Sequence, residues 1–319
     1  NVHAQKTEAA APALRFDINR YEVNGNTLLK PADVARIVAP FAGKEKDFSD
    51  IQRALEAIEI AYRNLGYGTT HVLLPEQNIA SGVVVFNVVE PRLDRIEVEG
   101  AVRNDPANIR RSLPGLREGQ MPNSREIARN LLLANENPAR QVTVLMRAGE
   151  TEDKVDATIK VAEDKPWKAS FTFDNTGNNS TGMYRASAGY QHANVFNRDH
   201  VATLQYITSP NHLSDVKIYG FGYRIPLYSL GSSIEFAGGY SNVNSGNLGG
   251  VAGGALNVSG SGTIGAVRYN HYLSKLGDYE QRLVYGLDYK AFQNQVVSNG
   301  TNIVPDITVH PASLTYYGT

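Results

Sequence analysis

The chain has 319 residues, a formal net charge of −1 and no cysteine. No disulfide framework and no thiolate metal site can therefore form, and no basic excess points to a nucleic-acid partner. The length leaves room for two or three domains. Charge is unevenly spread: residues 1–165 hold 46 Asp, Glu, Lys and Arg, and residues 166–319 hold 17. Aromatic residues do the reverse, 7 against 21. Such a split predicts water around the first part and lipid around the second. The second part has no apolar run of the roughly 18 residues that a helical span needs.

The N-terminus reads as a tail over residues 1–15. Val2-His3-Ala4 fits a signal-peptidase site with cleavage before Gln5, and the Ala-rich stretch to Ala13 reads as a flexible lead-in.

Residues 16–91 and 92–165 share one plan. Tyr21-Glu22-Val23-Asn24-Gly25 returns as Ile96-Glu97-Val98-Glu99-Gly100. Each copy continues into a short helix, Ala32–Val38 and Ala107–Leu113, behind Pro31 and Pro106. A longer helix follows. Ile51, Leu55, Ile58 and Tyr62 form one apolar stripe, with Ser49 as the expected N-cap. In the second copy Ile127, Leu131 and Ala134 form the stripe behind Ser124. Two strands close each copy: Thr70–Leu74 and Val83–Val89, then Gln141–Arg147 and Val155–Ala162. The order β-α-α-β-β, twice, predicts two α+β units. Asp164-Lys165-Pro166 reads as the linker out of them.

From Trp167 the period becomes two. Trp167, Ala169, Phe171 and Phe173 share one face, and Lys168, Ser170, Thr172 and Asp174 the other. Tyr184 to Tyr190, Tyr219 to Ile225 and Leu283 to Tyr289 repeat the pattern. Seven strands and the start of an eighth at Leu314 follow, each long enough to cross hydrocarbon at a tilt. Short links at Asn197–Asp199, Ser229–Ser232 and Lys275–Asp278 alternate with long ones at Asn175–Gly182, Ser209–Asp215, Asn242–Gly262 and Gln293–Pro311. Outer-membrane barrels have that alternation, with short turns in the periplasm. A soluble β-sandwich also alternates, but with shorter strands and more charge on its outer faces. The fold class expected is two α+β domains followed by the first seven to eight antiparallel strands of a transmembrane β-barrel, residues 166–319. An open sheet in lipid leaves unpaired backbone groups, so the chain is expected to be an N-terminal fragment.

These features resemble the two-partner secretion transporters that export haemolysins and filamentous haemagglutinins. The paired units are similar to that family's POTRA domains. The run Asp174-Asn175-Thr176-Gly177-Asn178-Asn179-Ser180-Thr181-Gly182-Met183-Tyr184-Arg185 is similar to its first barrel hairpin, which ends on a lumen-facing Arg. The resemblance implies an outer-membrane barrel of about sixteen strands. It also implies POTRA domains in the periplasm and an unfolded exoprotein cargo, haemolysin- or adhesin-like, with an N-terminal secretion domain. Two family features are not found here: the Val-Arg-Gly-Tyr-like pore-loop motif and the N-terminal plug helix. Cargo is expected to add a strand to the edges Thr70–Leu74 and Gln141–Arg147. That makes Thr70, Val72, Leu74, Val142 and Val144 the partner-binding candidates, with Val72 and Leu74 facing or flanking the cargo.

Lys168, Asp174, Arg185, Lys217, Arg224, Glu235, Arg268, Arg282, Asp288 and Lys290 fall on the polar face. They would line the pore or pair within its wall. Asp174–Ser180 lacks the closing Glu of a calcium loop and reads as a turn. His192 and His200 have no third ligand and read as surface residues. No nucleotide phosphate loop, catalytic triad or carboxylate pair stands out. The expectation is a non-enzymatic transporter with no cofactor and no metal, driven without ATP. A barrel-insertion factor of the same superfamily and a passive porin- or adhesin-type barrel are the alternatives.

Overall fold

The computed structural model describes residues 15–179, 181–243, 247–248, 256–257, 261–275, 277, 279–293, 297–298, 301–302 and 305–319. The expected signal remnant and lead-in, and much of the 242–262 and 293–311 links, lie outside these residues. So do two positions of the 275–278 turn. Cα packing divides the chain into two units, the boundary passing through the sheet of the second α+β copy.

The first copy contains β1 (Phe16–Ile18), β2 (Arg20–Asn24), α1 (Pro31–Val38), β3 (Gly43–Lys46), α2 (Phe48–Asn64), β4 (His71–Leu73) and β5 (Val83–Val89). β1 pairs with β3. The main sheet runs β2-β5-β4, with β2 parallel and β4 antiparallel to β5. The helices supply the crossover that a parallel pair needs. Ile51, Ala54, Ile58 and Tyr62 of α2 are buried against Val72, Val84, Phe86 and Val88. The cap is Asp47, not Ser49. Its carboxylate accepts from Ser49 N (2.9 Å) and Asp50 N (3.2 Å), and Asp50 returns a bond to Asp47 N (3.1 Å). An Asp two residues earlier can close this reciprocal box, and Ser49 then falls inside the first turn.

The second copy contains β6 (Arg92–Glu99), α3 (Pro106–Arg111), α4 (Ser124–Ala134), β7 (Arg140–Ala148) and β8 (Lys154–Glu163), with sheet order β6-β8-β7. Ser124 is the first residue of α4, and its hydroxyl donates to Gly66 O (2.9 Å). The buried stripe of α4 takes Asn130 and Leu133 in place of the expected Leu131. Asn130 earns an inward place because its Oδ1 accepts from Gly115 N at 2.9 Å.

The repeated glycine has one cause in both copies. Gly25 has φ +77° and Gly100 +82°. A Cβ on either would stand 2.4 Å from Val88 O or 2.3 Å from Val161 O. Any other residue would meet both the left-handed strain and that carbonyl.

Beyond these lies one antiparallel sheet in chain order: β9 (Trp167–Asp174), β10 (Arg185–Val195), β11 (His200–Thr208), β12 (Ile218–Leu227) and β13 (Ser232–Ser241). Two loop pieces, β14 (Asn247–Leu248) and β15 (Leu256–Asn257), pair with each other. β16 (Ser261–Tyr272) and β17 (Gln281–Gln293) continue the sheet, and β18 (Val297–Ser298) pairs with β19 (Thr301–Asn302). β20 (Ile307–Val309) and β21 (Ala312–Gly318) both pair with β17. The eighth strand therefore begins at Ile307, earlier than expected, and is broken at His310-Pro311, where proline has no N–H to give the ladder. The tight link 196–199 holds Phe196, Asn197 and Asp199 at positive φ. The second tight link turns through Gly231, also left-handed.

Candidate functional site

Three surfaces could carry function: the sheet edges, the two faces of the large sheet, and a buried cluster at the tight turns.

Both expected edges are edges. β4 and β7 each end their sheet's strand order. Thr70, Val72 and Val142 are buried, Leu74 packs on the first core, and Val144 is half-buried. Their side chains belong to the fold, because alternate residues of these strands turn toward the helices. What these positions offer outward is main chain. Leu73, on the opposite face of β4, is 38% exposed.

The large sheet has two chemically distinct faces. On one, Phe171, Phe173, Leu204, Tyr219, Tyr285, Leu287 and Leu314 are exposed. Tyr206, Tyr219 and Tyr240 stand side by side on three strands, with ring centroids 5.0 and 6.3 Å apart. Water would oppose such a face and acyl chains favour it. Tyrosine suits the boundary, its ring apolar and its hydroxyl wet.

On the other face five of the candidate charges, Arg224, Glu235, Arg268, Asp288 and Lys290, pair with one another. Arg224, Glu235 and Arg268 are register neighbours on three strands. Arg224 lies 3.4 Å from Glu235 and also pairs with Glu136. Arg268 pairs with Asp288, whose second oxygen is 3.6 Å from Lys290 Nζ. Arg282 Nη1 is 3.4 Å from Glu136. Lys168 reaches Pro138 O at 3.5 Å. Lys217 lies just before β12, its N–H donating to Asn242 Oδ1 at 2.7 Å. Arg185 is buried and folds onto its own hairpin, donating to Gly182 O (2.8 Å) and Thr181 Oγ1 (2.7 Å). Asp174 closes the start of that hairpin by accepting from Thr176 N (2.9 Å). His200 meets Tyr223 Oη at 2.8 Å, and His192 accepts from Asn194 N at 3.2 Å.

The third surface had no sequence signal. The tight turns lie against α3, α4 and β7. Asp199 accepts from Nη1 and Nη2 of Arg140 (2.7 and 2.6 Å), from Asn108 Nδ2 (2.6 Å) and from Tyr228 Oη (2.8 Å). The Arg140 and Asp199 side chains are 1% and 0% exposed. Arg140 also donates to Tyr228 Oη (3.1 Å), closing the ring. Burial, and then the Asp199 carboxylate, push the Tyr228 hydroxyl well above its ordinary pKa. Arg111 fixes the same turn through Asn197 O at 3.0 Å. Just beyond α4, Glu136 joins Tyr272 (2.5 Å), Arg224 and Arg282. These partners stand 29 to 146 residues apart, so no local pattern marks them.

Two carboxylates close turns in the α+β copies. Glu90 accepts from Thr27 N (2.8 Å), Thr27 Oγ1 (2.5 Å) and the buried Tyr62 Oη (2.7 Å). Glu163 accepts from the N–H groups of Val102 (3.1 Å), Arg103 (2.6 Å) and Asn104 (3.1 Å). Burial alone would raise both acids, but these donors outweigh it and hold them below the usual glutamate range. A depressed folded pKa contributes stability above the unfolded value and loses it as pH falls through the folded one. Denaturant unfolding at neutral and acid pH should show stability dropping only below the ordinary glutamate range. Glu90→Gln should flatten part of that slope; an unchanged slope would contradict the assignment.

The profile "POTRA domain, ShlB-type" matches residues 16–91, and "Haemolysin secretion/activation protein ShlB/FhaC/HecB" matches residues 153–306. The outer membrane transporter CdiB of Escherichia coli O6:K15:H31 is 29% identical over 178 residues, 56% of this chain and 30% of that protein. The heme/hemopexin transporter protein HuxB of Haemophilus influenzae strain 86-028NP is 25% identical over 179 residues, 55% of this chain and 32% of that protein. The chain thus aligns with about a third of these relatives' length. The structure of CdiB from Escherichia coli superposes with a TM-score of 0.73 at 21% identity, covering 98% of this chain and 58% of that one. CdiB from Acinetobacter baumannii gives 0.63 at 13%, covering 97% and 63%. At such identities the likeness shows the fold.

Proposed function

Because the chain belongs to the two-partner secretion family of outer-membrane transporters, whose POTRA domains lie in the periplasm, we propose that it receives an unfolded exoprotein there and passes it through its barrel to the cell surface. Residues 16–91 and 92–165 act as POTRA 1 and POTRA 2, and residues 166–319 form the N-terminal part of the barrel. One observation carries the reading: a sheet with an aromatic face and a polar, partly charge-paired face follows two domains whose sheets each leave a strand, β4 or β7, at an edge. The charge pairs leave the inner wall polar, with basic residues outnumbering acidic ones seven to three among the ten candidates, so cargo would meet a wetted and net positive path. An edge strand recognises extended main chain with little regard to side chains, and an unfolded cargo offers that. The family relatives are named as transporters. The energy then comes from cargo folding outside rather than from ATP.

A photo-crosslinking amino acid at the exposed Leu73, in the full-length protein in the outer membrane, tests this. The expected adduct is one large secreted protein. Adducts spread over several barrel proteins would support the barrel-insertion alternative, and no adduct would overturn edge capture.

A further inference from the structure

Both POTRA edges are already occupied by side chains acting as a strand. In β4, Val72 faces Val88 between two flanking pairs, His71 with Val89 and Leu73 with Asn87. Val72 N donates to Glu59 Oε1 of α2 at 3.0 Å. Its N–H therefore points away from β5, along the free edge, where an added strand would bond. The outward N–H two residues earlier, on Thr70, donates to Tyr67 O at 3.2 Å. Past Leu73, the ladder is continued by a side chain: Gln77 Oε1 accepts from Val85 N (2.7 Å) and Gln77 Nε2 donates to Val85 O (2.8 Å). In β7 the plug is tighter. Asn135 accepts from Val142 N (2.6 Å) and donates to Val142 O (3.0 Å).

We propose that Glu59 is a displaceable stand-in for the cargo strand, keeping the β4 edge closed until an extended segment competes for Val72, while Asn135 seals β7 at Val142. The inference rests on the edge-capture reading above. A bare edge invites pairing with any strand, and natural sheets protect theirs. The two plugs differ in hold. Glu59 offers one acceptor and no donor, so a strand that replaces it gains the ladder's carbonyl bond as well. Asn135 already makes both bonds that a strand residue would make, so exchange there gains nothing. The cargo entry edge is therefore β4. A displaced Glu59 carboxylate then lies beside the docked strand, where it favours a Lys or Arg over an Asp or Glu.

The test uses the full chain in detergent and two fluorescent unstructured peptides of alternating valine and threonine, one with a central Lys and one with a central Glu, read by anisotropy. Glu59→Ala should bind the Glu peptide roughly tenfold tighter than the parent chain, since one charge-assisted hydrogen bond no longer competes. Its preference for the Lys peptide should vanish. Glu59→Asp keeps the charge and the helix but is too short to reach Val72 N, so it should also bind tighter, which guards against misfolding of the alanine variant. Glu59→Gln keeps an acceptor and adds the amide donor that Asn135 uses, so it should bind no tighter than the parent and should lose the preference for the Lys peptide. Parent-like affinity in both Glu59→Ala and Glu59→Asp, with binding lost in Leu74→Pro, would overturn the plug and leave edge capture standing. Binding that survives Leu74→Pro, or no binding in any variant, would overturn edge capture and the plug with it.

Discussion

Asp199→Ala is expected to destabilise the protein by about 3–5 kcal/mol, because it leaves Arg140 as an unpaired charge in a site closed to water. The loss does not come from one contact. Asp199 is the common acceptor for Arg140, Asn108 and Tyr228, and its own backbone sits at positive φ. Removing it strips the turn 196–199 of its main tie to α3 and β7. Trp167 is the only tryptophan and opens β9, so its fluorescence can follow denaturant unfolding. Arg140→Ala should cost a similar amount. The double variant should cost much less than the sum, because neither charge is then stranded. Additive losses, or a loss under about 1 kcal/mol for Asp199→Ala, would show that the ring does not act as a unit.

Leu74→Pro is expected to cut the Leu73 crosslink and cargo export by roughly tenfold or more. Leu74 follows the three paired residues of β4, and its N–H has the outward parity of Val72. Proline removes that donor while leaving the bonds between β4 and β5 in place. The residue before a proline favours extended backbone, so Leu73 keeps its conformation. Leu74→Ala is the control, since it loses the same contact with the core but keeps the N–H. It should export normally. Equal defects in the two variants would mean that packing, not main-chain pairing, is what the cargo needs. The proline belongs at Leu74 because Val72 is buried, and a proline there would damage the core as well.

Much of this architecture can be read in the chain. The change of hydrophobic period at Trp167 and the fall in charge follow from the solvent each part meets, and both are local. The glycines at 25 and 100 announce the repeat because a left-handed turn beside a carbonyl admits nothing else. The small errors are local as well. Ser49 looks like a cap, but Asp47 wins because Asp50 can complete its box. Leu131 looks like core, but Asn130 takes its place to satisfy Gly115. The eighth strand starts before its proline because the ladder resumes on either side of it.

The site was legible as a list of residue types and only partly as an arrangement. Edge strands and the polar face could be named from order and alternation. Which charges meet could not: Arg185 is spent within its own hairpin, and Glu136, absent from any strand pattern, gathers Arg224, Tyr272 and Arg282.

Neighbours a few residues apart set the two hydrophobic periods and, through them, the two faces of the large sheet. That Asp199 locks to Arg140 and that Glu59 covers Val72 emerges only once the chain is folded. Burial turns such encounters into strong bonds, and which groups are buried together is fixed by how distant segments pack.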